Sequence, residues 1–322
     1  MKKKKKKRKG ADVITVKAAG AAAPVKSVPH DNVAVAFDES LVPEKYRGTD
    51  KYLDVVQWNL EWFGAGISAS KDTERIPLVT KILSTLNADI FVLQEVAGPS
   101  EDNRYKGALD GIAEELTKKG AGDYRVFYTK AGGQQRCCVM YDSDFIRAKS
   151  AYPAELFERG TYKMPDGKTD AFAGRTPIYG YFNAYSEDAA KFDFQLLGVH
   201  LKAMTDGAPQ RKESANVLKK WMEEEGNHTD TDILIMGDFN APPGDDCWQP
   251  FHKMEDEGKV KFREINDNDD FSYLWLKNKS DKYVSRIDLT VMSSASSEQV
   301  AGEVAKVVAG SRLKRRLRGR AI

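Results

Sequence analysis

The sequence predicts an α/β fold, and three observations carry that prediction. Short runs rich in Val, Ile, Leu, Phe and Tyr alternate with longer stretches of helical period. The runs are apolar at both parities, the pattern of sheets covered on both faces. No segment repeats at a fixed period, so a solenoid or propeller is not expected.

Residues 1–50 read as a basic tail and linker, with Pro24, Pro29 and Pro43 and no sustained period, and are expected to be disordered. Strand-length runs follow at 53–58, 89–94, 124–129 and 136–141, and again at 177–185, 192–200, 232–238 and 283–293. Helical patterns lie at 74–86, at 107–120 with Gly120 as a stop, and at 210–226 with Gly226 at its end. The last of these joins the runs ending at His200 and Asp238, the arrangement of an α/β crossover. One domain over 51–310 is the simplest account, with 311–322 as a basic C-terminal tail.

Charge is distributed unevenly. The first ten residues carry +8 and residues 311–322 carry +6, against +2 for the whole chain, so residues 11–310 carry −12. An acidic body disfavours broad binding to DNA, whereas basic ends would add salt-sensitive affinity for nucleic acid or anionic lipid. No run approaches the roughly 20 apolar residues that span a bilayer. The segment after the N-terminal lysines is Ala/Gly-rich and interrupted by Lys17, a poor signal-peptide core, so the compartment stays unassigned with export open. Cys137, Cys138 and Cys247 are too few for a disulfide framework, and the first two fall in an apolar run as buried strand residues. A monomer is expected.

Chemistry enters at the strand ends. Apolar runs finish in Asn59, Glu95, His200, and Asp238 with Asn240; Arg175 precedes a strand and Asp288 lies within the last. Each alone reads as a cap or turn residue. Together they converge on one sheet edge, where sites are built. Carboxylate and carboxamide oxygens are hard ligands suited to Mg2+ or Mn2+, and too few His and Cys accompany them for zinc. Arg175 and His200 would supply donors for a developing phosphate charge, so the set points to phosphate-ester hydrolysis.

At this point a family resemblance becomes specific. WNLEWFG, VLQEV, AGRTP, GVHLKA, the Arg211 helix, GDFNAPP and SRIDLTVMS follow the motif order of the endonuclease/exonuclease/phosphatase family, which includes deoxyribonuclease I and exonuclease III. The resemblance implies a four-layer α/β sandwich of two packed mixed β-sheets flanked by helices. It implies Glu95 as the principal metal ligand with Asn59 beside it, and Asp238 as the group that activates water. Asn240 would hold a phosphate oxygen or the metal shell, and His200 with Arg175 would stabilise the transition state. Arg211 is a further candidate for phosphate contact. Asp288 matches the carboxylate that orients a later histidine.

That histidine is missing: His30, His200, His228 and His252 are the only ones, and none follows Asp288. The expectation is that a frameshift or early stop has replaced the closing Ser-Asp-His segment with unrelated basic sequence, leaving hydrolysis weak or absent. GDFNAPP and SRIDLTV set the chain apart from the inositol polyphosphate 5-phosphatase branch. A nuclease-like phosphodiesterase acting on nucleic acid is the first reading. A lipid or small-molecule phosphodiesterase, or a non-catalytic phosphate- or metal-binding module, is the alternative.

Overall fold

The structure, a computed structural model, describes residues 42, 44, 47–49, 52–64, 69–99, 106–149, 152–186, 189–226, 229–242, 244–263, 273–276, 282–285, 288–293, 306–307 and 315–320. The tail up to residue 41, with His30, and also His228, lie outside them.

The strands are β1 (Tyr52–Phe63), β2 (Ile90–Val96), β3 (Tyr124–Tyr128), β4 (Arg136–Asp142), β5 (Ile146–Ala148), β6 (Ala154–Glu155), β7 (Ile178–Ser186) and β8 (Ala189–His200). They continue as β9 (Ile233–Asp238), β10 (Val260–Arg263), β11 (Tyr273–Leu276), β12 (Lys282–Ser285), β13 (Asp288–Ser293), β14 (Lys306–Val307) and β15 (Arg315–Arg320). The helices are α1 (Ala69–Leu86), α2 (Asp110–Lys118), α3 (Ala208–Trp221) and α4 (Gln249–Asp256). The first sheet runs β14-β15-β1-β2-β4-β3, and the second β10-β13-β9-β8-β7-β5 with β6 on β7. β1–β2 and β8–β9 are parallel and their other neighbours antiparallel, so both sheets are mixed.

Three apolar layers show how the sequence builds this. Along β1, Leu53 and Val55 face the second sheet while Val56 and Trp58 face the helices. β2 repeats the pattern with Ile90 and Val92 inside and Phe91 and Leu93 outside. On the second sheet Phe194, Leu196, Leu234 and Met236 face inward, and Leu197, Val199, Ile233 and Ile235 face outward. Side chains alternate along a strand, so an uninterrupted apolar run fills two cores at once. The outer layers are closed by helical stripes: Val79, Ile82, Leu83 and Leu86 on α1, and Ala215, Leu218 and Trp221 on α3. The expected four-layer sandwich is therefore present.

The differences are local. α1 begins five residues before the pattern centred on 74–86 and carries Pro77 inside it. α3 gives way at Met222–Gly226 to a wider π-type turn. α4 and the short strands β5, β6 and β10 escape sequence reading because they are only a few residues long. The linker also docks earlier than 51. Val42 is fully buried against the α1 core, Arg47 Nε donates to its carbonyl at 3.2 Å, and Gly48 N donates to Leu86 O at 2.7 Å. One valine makes no periodic signal, yet it plugs a gap at the helix end.

The basic C-terminal residues, read as a tail, run antiparallel to β1 as β15, with Leu317 paired to Val55 and Arg318 to Asp54. Backbone pairing asks little of side-chain type, so charge content alone did not reveal it.

Gly198 sets how closely the sheets approach. A Cβ there would stand 2.6 Å from Val92 Cγ1 on the facing sheet and 2.7 Å from Ile178 Cγ2. Gly198→Val is expected to cost about 1–3 kcal/mol from overpacking, read as a lowered denaturation midpoint, and to loosen the strand end two residues further on.

Candidate active site

Period-2 alternation delivers most of the site. Asn59 shares the inward parity of Leu53 and Val55, Asp238 that of Leu234 and Met236, and His200 that of Phe194 and Leu196. All three stand where the inter-sheet layer opens at the strand ends. Beneath them Gln57 Nε2 donates to Gln94 Oε1 at 2.7 Å, the polar floor between apolar core and site.

Glu95 breaks the alternation. Its parity matches Phe91 and Leu93, which face the helices. Its φ is +57°, a left-handed value unusual for a non-glycine, and the pairing of β2 with both neighbours shifts register there. A bulge re-aims the side chain, and Glu95 meets the inward-facing groups. Asn59 Nδ2 donates to Glu95 Oε1 at 3.1 Å and to Asp238 Oδ2 at 2.8 Å, which ties the two sheets together. Trp62 N donates to Glu95 Oε2 at 3.2 Å, and Asn240 N to Asp238 Oδ1 at 2.8 Å.

His200 is buried, with Nε2 3.7 Å from Glu95 Oε1. Arg175 Nη1 lies 2.9 Å from Nε2 and 3.3 Å from Nδ1, and donates to whichever nitrogen carries no proton. Burial first, and then the Arg175 charge, push the His200 pKa well below its ordinary value, so the ring is neutral at pH 7. Burial also pulls the Arg175 guanidinium downward against the influence of Cys137, Asp238 and Glu95, but an arginine stays charged. Arg175 Nη2 donates to Leu201 O at 2.8 Å, and Asn240 Nδ2 donates to the same carbonyl at 3.0 Å. Of Asp288 the structure describes the backbone, which pairs with Asp238.

The GDFN glycine has a packing reason. Gly237 has φ +149°, and a Cβ would stand 2.1 Å from Val199 O on β8. Only glycine lets β9 lie close enough for the parallel pair His200 and Asp238.

Arg211 differs from its expected role. It is 4% exposed, and Nη1 donates to Lys202 O at 3.0 Å and Met204 O at 2.7 Å while Nη2 donates to Asp245 Oδ2 at 2.8 Å. Nη1 and Nη2 brace the loop after His200, a positioning role in place of an exposed cation. Burial raises the Asp245 carboxyl, but the Arg211 bond and the Cys247 N–H outweigh this and leave its pKa lowered. His252 lies exposed on α4, with Nδ1 3.8 Å from Glu255. Sequence reading missed Asp245 and also Asp170, whose carboxylate accepts from Phe172 N and Gly174 N at 2.9 and 3.1 Å and shapes the loop before Arg175. For Asp170 the signal is a short Asp-x-x-x-Gly turn, and for Asp245 it is an acidic residue at the start of the short helical turn 246–248, where Asp245 Oδ1 accepts from Cys247 N at 3.0 Å.

Among the described residues no group of three or more His, Cys, Asp and Glu forms a ready cation cage. The donors that do meet suit a hard divalent ion held with few protein ligands. Two carboxylates converge on one amide NH2, at the point where a positive charge would offset both.

A double-sheet sandwich with acid, amide, histidine and arginine at one open end defines a phosphoesterase class. The model of the Endonuclease/Exonuclease/phosphatase family matches residues 56–304, and the chain belongs to that family. No curated protein sequence matches it significantly. Solved structures share the fold at low identity. The human Nocturnin catalytic domain, with a bound sulfate anion, is 16% identical at TM-score 0.56, covering 83% of this chain and 94% of its own. A mannosyl-6-phosphatase of Bacteroides thetaiotaomicron is 18% identical at TM-score 0.55, covering 82% and 98%. D. rerio TDP2, complexed with single strand DNA product, is 13% identical at TM-score 0.54, covering 84% and 98%.

Arg211→Met is expected to cost about 3 kcal/mol, because it strands a nearly buried Asp245 carboxylate and two carbonyls. Equilibrium denaturation without substrate reads this loss; unchanged stability would return Arg211 to a substrate-facing role.

Proposed function

We propose that the chain is a divalent-metal-dependent phosphodiester hydrolase of the nuclease type, using in-line attack of water. One observation carries this reading. The Asn59 amide joins Glu95 and Asp238 across two sheets, with the His200–Arg175 pair beside them. This proximity supports reading Glu95 as part of a cation seat, Asp238 as a water-directing carboxylate and the His200–Arg175 pair as phosphate-facing donors.

Glu95, with Asn59, would hold Mg2+ or Mn2+, which supplies charge neutralisation and polarisation of the phosphoryl group. Asp238, fixed by Asn59 and Asn240, orients the attacking water and takes its proton. His200, neutral, donates an N–H to a non-bridging phosphate oxygen, and Arg175 opposes the charge that develops there. Asn240 keeps one amide N–H beyond its bond to Leu201 and would add a second donor. Among the structural neighbours, the TDP2 structure named with a single strand DNA product agrees with a nucleic-acid substrate.

Two rival readings have specific support. The acidic body, at −12 over residues 11–310, favours a lipid or small phosphodiester over a long polyanion. The lack of any histidine after Asp288 favours weak turnover, or a phosphate- or metal-binding module without turnover. A missing acid–base partner costs about 10²–10⁴-fold in rate.

Hydrolysis of single-stranded DNA, plasmid and bis-p-nitrophenyl phosphate with Mg2+ and with EDTA separates these readings. The expected result is slow diester cleavage that needs Mg2+ and falls by about 10³-fold or more in Glu95→Ala. Cleavage unaffected by EDTA and by Glu95→Ala would refute the proposal. Mg2+ binding that depends on Glu95, without turnover on any diester, would identify the module.

A further inference from the structure

We infer that Trp62 and Met204 form two apolar walls beside the site and that Trp62 stacks an unpaired nucleobase next to the scissile phosphate. The inference rests on the phosphodiesterase reading above and specifies the strand it takes.

Among the described residues only Trp62, Ile76 and Met204 are large hydrophobics left exposed, at 43%, 38% and 75%. Two of these three follow site residues directly: Trp62 comes three positions after Asn59, and Met204 four after His200. Their exposure is not slack. Leu60 and Phe63, on either side of Trp62, are buried. Glu61 and Trp62 have φ +50° and +55°, two consecutive left-handed residues that turn the backbone outward. Arg75 holds the turn by donating to the carbonyls of Leu60 and, at 3.0 Å, Glu61, with its guanidinium 5.3 Å from the Phe63 ring. The Trp62 backbone N–H donates to Glu95 Oε2 at 3.2 Å, so the residue that carries the indole is bonded directly to the cation-seat carboxylate. Met204 is presented in the same way, with φ +72° and its carbonyl held by Arg211 at 2.7 Å.

A rigid indole and a thioether, one on each sheet's loop, suit a flat, weakly polar group attached to a phosphate. A nucleobase fits; stacking is tolerant of base identity but requires that the base be free of its own stack. The preferred substrate is therefore single-stranded or frayed nucleic acid, not paired duplex.

The test uses the full chain and two oligomers of equal length, a phosphorothioate single-stranded oligodeoxynucleotide and the same backbone with abasic residues. The other four tryptophans are common to both proteins, so the difference in indole signal between wild type and Trp62→Phe reports Trp62. Expected is quenching by the base-bearing oligomer in wild type, absent in Trp62→Phe and absent with the abasic chain. In turnover of unmodified strands, Trp62→Ala should raise KM about tenfold with kcat changed less than about threefold, and Trp62→Phe should restore most of it. The KM for the abasic chain should not change. Equal loss on both strands would show a structural role, and no loss on either would remove Trp62 from the substrate path. Tighter binding of a hexose phosphate than of the oligomer would replace the base with a sugar. If wild type cleaves the oligomer and Trp62→Ala matches it, this inference fails while the hydrolase reading stands. If no diester is cleaved yet Trp62 is quenched, the hydrolase reading fails instead.

Discussion

Two carboxylates that share one amide set the terms for the rest of the molecule. Glu95 and Asp238 come from different sheets and both accept from Asn59 Nδ2, which brings like charges together in a half-buried opening. Such a pair is unfavourable unless donors offset it. The chain supplies them from backbone N–H groups at Trp62 and Asn240 and from the Asn59 amide, with Arg175 nearby through His200. The distances depend on the sheets lying close, which Gly198 allows between sheets and Gly237 allows between strands.

Three arginines hold the loops that carry this arrangement, and they do it through carbonyl oxygens. Arg75 pins Leu60 and Glu61, Arg175 pins Leu201, and Arg211 pins Lys202 and Met204. Left-handed backbone at Glu61, Trp62 and Met204 lies in these same segments, and the left-handed Glu95 and Asn240 are bonded to them through Trp62 N and Leu201 O. Each such non-glycine residue costs on the order of 1 kcal/mol or more. The surrounding core and the arginine braces offset that cost, so conformational strain is concentrated where donors, acceptors and exposed rings must point in set directions.

Much of this was legible before any fold was known. The order of motifs from Asn59 to Asp288, the strand runs and the helices over 74–86, 107–120 and 210–226 follow from apolar period and terminal polar residues, and the structure reproduces them within a few residues, except that the run at 283–293 is divided between β12, paired with β11, and β13 of the second sheet. Three positions resisted. Arg211 reads from sequence as a candidate phosphate contact because a linear pattern cannot show that Asp245 folds back onto it. The Arg-rich end looked like a tail because like charge suggests solvation, whereas β15 is defined by backbone pairing with β1. Trp62 and Phe63 are adjacent aromatics of like character, and only the turn decides that Phe63 is buried and Trp62 exposed.

The division has a physical basis. The sequence by itself determined the layers and the make-up of the candidate site: apolar strands declare two buried faces, and the polar residues at their ends mark one edge of the sheets. It also determined where Asn59, Asp238 and His200 point, since parity along a strand is a local property. Only the tertiary structure decided Glu95. Its parity sends it to the helices, and a bulge stabilised by pairing on both sides of β2 turns it to the inter-sheet opening. Bulges, braces and sheet separation depend on contacts between residues far apart in the chain, and a linear pattern does not encode them.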